Sequence, residues 1–372
     1  MNDAYQNKGS AVISFAAVIV IVIGLQMAKD LLVPFLVAAF LALITVRPML
    51  WMQSKRVPAI VAALIIVTVI MLFLTAIVAI VGTSLAEFTR ALPAYQARLD
   101  AIVKGMFEFI AARFDSDLAV EGLRDIVDPG WAMGVVVTML NSIREVLTNV
   151  FLIFLTMVFL LLEASSMPTK LNAAMGGNDA SFENQTDFLD NIGRYLGIKT
   201  LVSMVTGVSA GVLTWAIGLD FPLLWAMLAF LLNYIPTIGS IIAAVPAVLL
   251  AVVQLGFGAA FGTALGFVAI NIMFGNLIEP RLLGYGVGIS PLVVFMGLFF
   301  WGWVFGPVGM LLSVPLTMSL KMTLERDEST RWVAILLGSE RDAEHELEKR
   351  RKPATRLAGD AGPAAGDSES AE

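Results

Sequence analysis

Charged side chains are missing from long stretches of this 372-residue chain. Residues 11–28, 31–46, 57–86, 146–162, 200–219 and 221–278 contain no Asp, Glu, Lys or Arg. A helix that crosses about 30 Å of hydrocarbon needs about 20 apolar residues at 1.5 Å rise each, so most of these blocks are long enough to cross at least once. Residues 31–46 are short for a span and call for tilt or for Arg47 reaching outward to the headgroups. The chain as a whole is 58% hydrophobic and 15% charged, whereas soluble domains carry about 25% charged residues. The expected fold is all-α: a polytopic helical membrane protein with about eight spans, broken or re-entrant helices in its C-terminal half, and a small helical insertion outside the membrane.

The blocks divide the chain into N-terminal spans (1–86), a soluble extracytoplasmic insertion (87–145), a C-terminal transmembrane core (146–321), an amphipathic cytoplasmic helix (322–352) and a tail (353–372). Within the insertion, Leu99, Ile102, Val103, Met106 and Ile110 recur at helical spacing. Its simplest role is packing or contact between copies. Lys8, Arg47, Lys55, Arg56, Lys170, Lys321 and Arg326 all fall on one side if the spans alternate. The positive-inside rule makes that side the cytoplasm, with both termini inside. Trp332, Val333, Ile335, Leu336 and Leu337 give the charged 322–352 segment an apolar face suited to the headgroup region. The tail has too little apolar material to fold, and His345 beside it is expected to be solvated. No repeat of fixed short period is visible.

Several function classes drop out. There is no cysteine, hence no thiolate nucleophile or cysteine metal site, and the net charge of -6 offers no surface for nucleic acid. A phosphate-binding GxxxxGK[ST] loop is missing, and one histidine builds neither an HExxH zinc site nor a Ser-His-Asp triad. Neither a cofactor nor a metal is called for, and the chain does not read as an enzyme. Its expected partners are the lipid bilayer, a small solute with a proton or sodium ion, and further copies of itself.

Between Asp220 and Lys321 the only charged residues are Glu279 and Arg281, on either side of Pro280. An ionisable group in hydrocarbon costs about 2.5–3.5 kcal/mol on insertion scales and tends to line a cavity, pair, or carry ions. Two readings fit: Glu279 as a coupling carboxylate, or Glu279 and Arg281 as a local salt bridge on an exposed loop. If the segment is α-helical, Asn276 shares a face with Glu279 while Asn271 lies off to the side. Buried amides need partners and can bind a cation or a hydroxyl-rich solute.

The run Asn233-Tyr234-Ile235-Pro236-Thr237-Ile238-Gly239 interrupts an apolar stretch. Pro236 removes a backbone donor and Gly239 permits unusual dihedrals, so the helix should break there. Such breaks are tolerated at membrane depth only where protein or water covers them, as at transporter binding sites. A plain kink or a tight hairpin is the alternative. Gly302, Gly306 and Gly309, with Pro307 and Pro315, read first as close packing and second as a hinge, and Trp301 and Trp303 as interface or filling residues.

Taken in order, Tyr195, Gly197 and Lys199, then Asn233-Tyr234-Ile235-Pro236 with Gly239, Asn276, Glu279-Pro280-Arg281-Leu282-Leu283-Gly284, Ser290-Pro291, Trp301-Gly302-Trp303, Gly306, Gly309 and Pro315 form a pattern. It resembles the autoinducer-2 exporter family of permease-M-like proteins, most strongly over residues 195–321. The resemblance implies an ATP-independent permease of the bacterial inner membrane. Members are associated with export of autoinducer-2, and some with exchange of sodium or lithium for protons. The expected pathway residues are Glu279, Asn276, Asn271, Asn233, Pro236, Gly239 and Arg281. The expected activity is solute export, with a cation/proton antiporter, a passive channel and a non-transporting scaffold as the other readings.

Overall fold

The computed structural model describes residues 2–114, 134, 150–164, 166, 170, 173, 179–236, 238–283, 288–325, 327–340, 343 and 344. Among these every regular element is a helix. In chain order they are α1 (Asn2–Met27), α2 (Lys29–Ser54), α3 (Ala59–Phe114), α4 (Val150–Ala164), α5 (Asp179–Ile217), α6 (Pro222–Leu232), α7 (Ile238–Leu255), α8 (Phe257–Ile270), a π-helical stretch (Asn271–Ile278), α9 (Glu279–Leu283), α10 (Pro291–Leu311), α11 (Ser313–Glu325) and α12 (Arg331–Leu337). Six described segments are long and apolar enough to cross a membrane: Lys29–Ser54, Ala59–Gly105, Ile192–Ile217, Ile238–Leu255, Phe257–Leu283 and Pro291–Leu311. Ala16–Met27 and Val150–Ala164 are shorter apolar helices that coincide with the other two expected spans. The chain is a polytopic helical membrane protein.

Burial is distributed as lipid solvation demands. Large apolar side chains face outward, among them Leu72, Phe159, Trp215, Phe261 and Phe299. The interior is rich in alanine: Ala38, Ala42, Ala62, Ala63, Ala210, Ala243, Ala247 and Ala251 are all buried. Lipid tails are as apolar as leucine, so no hydrophobic force draws large side chains inward, and helices gain instead from close approach through small residues. The α5–α6 contact shows this directly. A Cβ placed on Gly207 would lie 2.7 Å from the Ala226 carbonyl oxygen, and one on Gly211 would lie 2.9 Å from the Ala226 Cβ.

Helix α3 joins two packed regions. Its first turns, with Ala62, Ala63, Ile66 and Val67, pack with Ala38, Ala42 and Met49 of α2 and Ile153, Met157 and Leu161 of α4. Farther along, Ile77, Val81, Leu85, Phe88 and Tyr95 pack on Leu224, Trp225 and Leu228 of α6 and on α7. The helix continues through Glu87 without a break to Phe114, so the start of the 87–145 segment extends a transmembrane helix, and Phe88 and Tyr95 are buried against the core. Residues 115–133 and 135–149 of that segment lie outside the described residues.

The stretch Phe221–Leu255, in which a helix break is expected at Asn233–Gly239, is a hairpin of two helices. Helix α6 ends at Leu232 and α7 starts at Ile238. At the other end of the hairpin, Gln254 Oε1 accepts from the Asp220 N–H at 3.0 Å, and Gln254 Nε2 donates to the Gly218 carbonyl at 3.4 Å. Gly306 (φ 68°, ψ -151°) breaks α10, and Trp301 Nε1 donates to Thr317 Oγ1 at 3.0 Å, so α10 and α11 form a second hairpin. Beyond it, α12 packs back on the core through buried Ala334, and the Ser290 N–H donates to the Leu337 carbonyl at 3.1 Å. Trp332 and Leu336, one helical turn apart, are 63% and 69% exposed, and within the expected 322–352 helix the described residues form the end of α11 and the separate short α12. His345 and residues 353–372 lie outside the described residues.

Candidate functional site

Helix α5 sets Tyr195, Lys199 and Ser203 at intervals of four, hence along one face. All three are buried. Lys199 Nζ donates to Glu279 Oε1 at 2.6 Å and to Oε2 at 2.8 Å. Their side chains are 6% and 14% exposed, so the ion pair is held away from solvent on both sides. The loop reading of Glu279 and Arg281 is therefore corrected. Glu279 follows directly on the π-helix and pairs with Lys199, 80 residues away in sequence, whereas Arg281 is exposed. Taking two charges out of water is costly, and mutual attraction offsets that cost only with close geometry of this kind.

The π-helix corrects a second expectation. Hydrogen bonds from i to i+5 widen each turn beyond the 3.6 residues of an α-helix, so residues four and five apart come to one face. Asn271 and Asn276 are five apart, and both line the same cavity. With 3.6 residues per turn Asn271 would have pointed aside. Gly275 keeps the surface between them low: a Cβ there would stand 3.0 Å from Asn271 Oδ1.

The third wall is the tip of the α6–α7 hairpin. Asn233 Nδ2 donates to Ser203 Oγ at 2.9 Å, and Tyr234 OH lies 2.8 Å from Thr200 Oγ1, so the tip is fastened to α5 at two places. The Tyr234 ring also meets Phe40 and Phe230 edge-on at 5.5 and 5.8 Å. Pro236 turns the chain, and Gly239 is required by space. A Cβ on Gly239 would fall 1.8 Å from the Leu232 carbonyl oxygen, a distance no side chain tolerates.

Together these elements enclose a cavity of about 360 Å³ lined by Tyr195, Lys199, Asn233, Ile235, Pro236, Ser240, Ile241, Asn271, Gly275, Asn276, Glu279, Leu283, Val294 and Val314. That volume lies within the usual range for small-molecule sites, about 300–1,000 Å³. Of the residues singled out from sequence, Asn233, Pro236, Asn271, Asn276 and Glu279 meet here; Gly239 shapes the hairpin tip without lining the cavity, and Arg281 is not part of the wall. Lys199 carried only a motif position in the sequence reading. The signal that would have found it is its place at the very start of a charge-free block. Tyr234, which helps fix the hairpin tip, carried only a motif position, and Ser203 and Thr200 carried no signal beyond being polar in an apolar stretch.

The family model for AI-2E family transporters matches residues 15–327. The chain belongs to the AI-2E transporter family. This AI-2E protein is 37% identical to the AI-2 transport protein TqsA of Escherichia coli (strain K12), over 88% of its own length and 94% of TqsA. It is 38% identical to a Haemophilus influenzae protein whose name specifies transport and no cargo, over 90% of this chain and 98% of that one. With YhhT of Escherichia coli (strain K12), also named for transport alone, it shares 32% identity over 88% of this chain and 93% of the other. The resemblance read from residues 195–321 thus extends through the N-terminal spans. As a member of the AI-2E family the chain is a membrane transport protein, and the cavity lies in the part that carries the family's motif residues.

Proposed function

We propose that this protein exports a small uncharged polar solute, of the class to which autoinducer-2 belongs, across the bacterial inner membrane, with both termini in the cytoplasm and coupling to a proton or sodium gradient. The observation that carries this reading is the Lys199–Glu279 pair inside a cavity otherwise lined by amides, the hydroxyl-bearing Tyr195 and Ser240, and apolar residues. Lysine and glutamate neutralise one another, so the resting cavity presents no net charge to a solute. Asn233, Asn271 and Asn276 supply both donors and acceptors, which suit a ligand rich in hydroxyl or carbonyl groups.

Coupling follows from competition for one carboxylate. A proton or a sodium ion that takes Glu279 must displace the Lys199 ammonium, and the contact between α5 and the Asn271–Leu283 segment then loses its charge–charge attraction. A ligand that binds the separated arrangement better shifts the protein toward it, to the extent of its differential affinity. The amide oxygens beside Glu279 also favour a second reading, in which the cation is itself the cargo and protons move the other way.

The test is flux in proteoliposomes under an imposed pH or sodium gradient, with labelled solute and internal pH followed together. Wild-type flux that depends on the gradient and loses that dependence in Glu279→Gln supports the coupled exporter. Cation–proton exchange without solute movement selects the antiporter. No flux of either kind above protein-free liposomes rejects transport through this cavity.

A further inference from the structure

We propose that the apolar groove between α7 and α8 is a second binding site, which takes the single hydrocarbon chain of an amphiphile whose uncharged, hydroxyl-bearing head sits in the Lys199–Glu279 cavity; the place of the head rests on the solute reading above.

Helices α7 and α8 are joined through Gly256 alone, whose φ of 91° reverses the chain while its N–H donates to the Ala251 and Val252 carbonyls at 3.0 and 3.1 Å. Away from this turn the two helices bound a groove of about 400 Å³. Ile241, Val245 and Val248 line it from α7 at intervals of four and three, and Ala264 and Val268 from α8 at an interval of four, so each helix gives it one face. Ile241, Val245 and Val268 are exposed on helices long and apolar enough to span, so the groove opens toward acyl chains and not toward water.

Apart from Ser240 and Asn271, every side chain that lines the groove is apolar. Those two stand at one end, and there the groove runs into the polar cavity: Ser240, Ile241 and Asn271 line both. Asn271 is the fifteenth of the 27 residues of the Phe257–Leu283 span, which sets the junction near mid-membrane. From the junction the groove follows α7 from Ser240 to Leu249, about 13 Å at a rise of about 1.5 Å per residue, and an extended chain of about ten carbons fills that length.

A crevice that faces a bilayer fills with hydrocarbon, because empty walls forgo their dispersion contacts. The polar junction decides which hydrocarbon. A bilayer phospholipid keeps its headgroup at the surface, so its chain would enter at the Leu249 end and set a terminal methyl against Ser240 and Asn271. An amide offers two donors and an acceptor, none of which a methyl group can meet. A single-chain amphiphile lies the other way round. Its hydroxyls stand at the junction, on the side of Asn233, Asn271 and Asn276, and its chain points toward Leu249. Lys199 and Glu279 already neutralise one another, so an uncharged head suits the cavity better than an ionised one. The chain exchanges one apolar surrounding for another of the same kind, so the groove contributes selection for one slender chain more than affinity.

The probe is monodecanoylglycerol bearing a diazirine, in one version beside the ester and in another near the chain end, at low mole fraction in phosphatidylcholine nanodiscs that hold the full chain. After illumination the adducts are mapped by mass spectrometry. The ester-side diazirine should mark the Ser240–Asn271 end and the chain-end diazirine the Leu249–Ala264 end, and unlabelled monodecanoylglycerol should displace both. Val268→Trp, at an exposed position that lines the groove, should cut both adducts several-fold, while Leu265→Phe, exposed but outside the groove, should leave them unchanged. The reverse orientation overturns the proposal, as does a phosphatidylcholine whose chain-end diazirine marks the Ser240 end as strongly, since either gives the groove to bilayer lipid. Adducts scattered over the lipid-facing surface, or unaltered by Val268→Trp, overturn it equally. Photolabelling needs neither a gradient nor turnover. Oriented adducts without flux in proteoliposomes would reject transport and keep this site, whereas gradient-driven flux without such adducts would remove this site alone.

Discussion

Lys199 and Glu279 form a two-oxygen ion pair at 2.6 and 2.8 Å that joins helix α5 to the end of the π-helical segment. Removing one member leaves the other charge buried without its partner, which costs about 3–5 kcal/mol in comparable pairs, whereas replacing both with apolar groups of similar size is often near neutral. Lys199→Met is therefore expected to lower the unfolding temperature in detergent more than Lys199→Met combined with Glu279→Leu. A double variant as destabilised as the sum of its single changes would show that the pair contributes no coupling.

How much of this site was legible in the sequence follows from which physical rule each residue obeyed. Glu279 stood out because charge in hydrocarbon is rare, and Pro236 with Gly239 because together they cannot continue a helix. Lys199 entered only as a motif position, because it borders a charge-free block and served as its boundary. Asn271 was expected in the pathway but off the Asn276–Glu279 face, on a period of 3.6 that a π-helix does not keep. The second hairpin stayed hidden for two reasons. Gly306 and Pro307 serve packing and hinges as readily as reversal, and its Gly309-to-Pro315 interval is one residue shorter than Gly239 to Pro246. The span count, by contrast, needed only length and the absence of charge.

Asn271 and Asn276 face the cavity only because the intervening turn is wide. A neutral hydrogen bond to a bound solute contributes about 0.5–1.5 kcal/mol, so Asn271→Ala and Asn276→Ala should each raise the transport KM by about 2- to 10-fold. Leu277→Ala, an exposed position on the same segment, serves as the control. Equal effects of all three in a flux assay would mean that the π-helix matters for shape and that its amides do not touch solute.

Tyr95 ties the extended half of α3 to the open end of the first hairpin, its hydroxyl donating to Asp220 Oδ2 at 2.8 Å while Trp225 Nε1 donates to the Asp220 carbonyl at 2.8 Å. Tyr95→Phe keeps the ring packed on Phe88 and removes one hydrogen bond to a carboxylate, which is worth about 1.5–3 kcal/mol. Faster hydrogen exchange at Asp220 and Leu219, with no change near Lys321, is the expected result. Unchanged exchange at both ends would leave α3 without a role in holding that hairpin.

Gly239 and Gly309 should respond alike to substitution if the two hairpins are built alike. A methyl group at either position must displace a backbone carbonyl now 1.8 or 1.9 Å from where Cβ would stand, and backbone has less freedom to yield than a side-chain end. Forced overpacking costs about 1–3 kcal/mol, occasionally more. Gly258→Ala and Gly262→Ala provide the contrast, since a Cβ there meets nothing within 4 Å and helix propensity alone favours alanine by about 1 kcal/mol. Thermal unfolding of the four variants in the same detergent should place Gly239→Ala and Gly309→Ala together below wild type, with Gly258→Ala and Gly262→Ala at or above it. A tolerant Gly309 beside an intolerant Gly239 would mean that the second reversal closes by a different contact, and the equivalence of the two tips would fail with it.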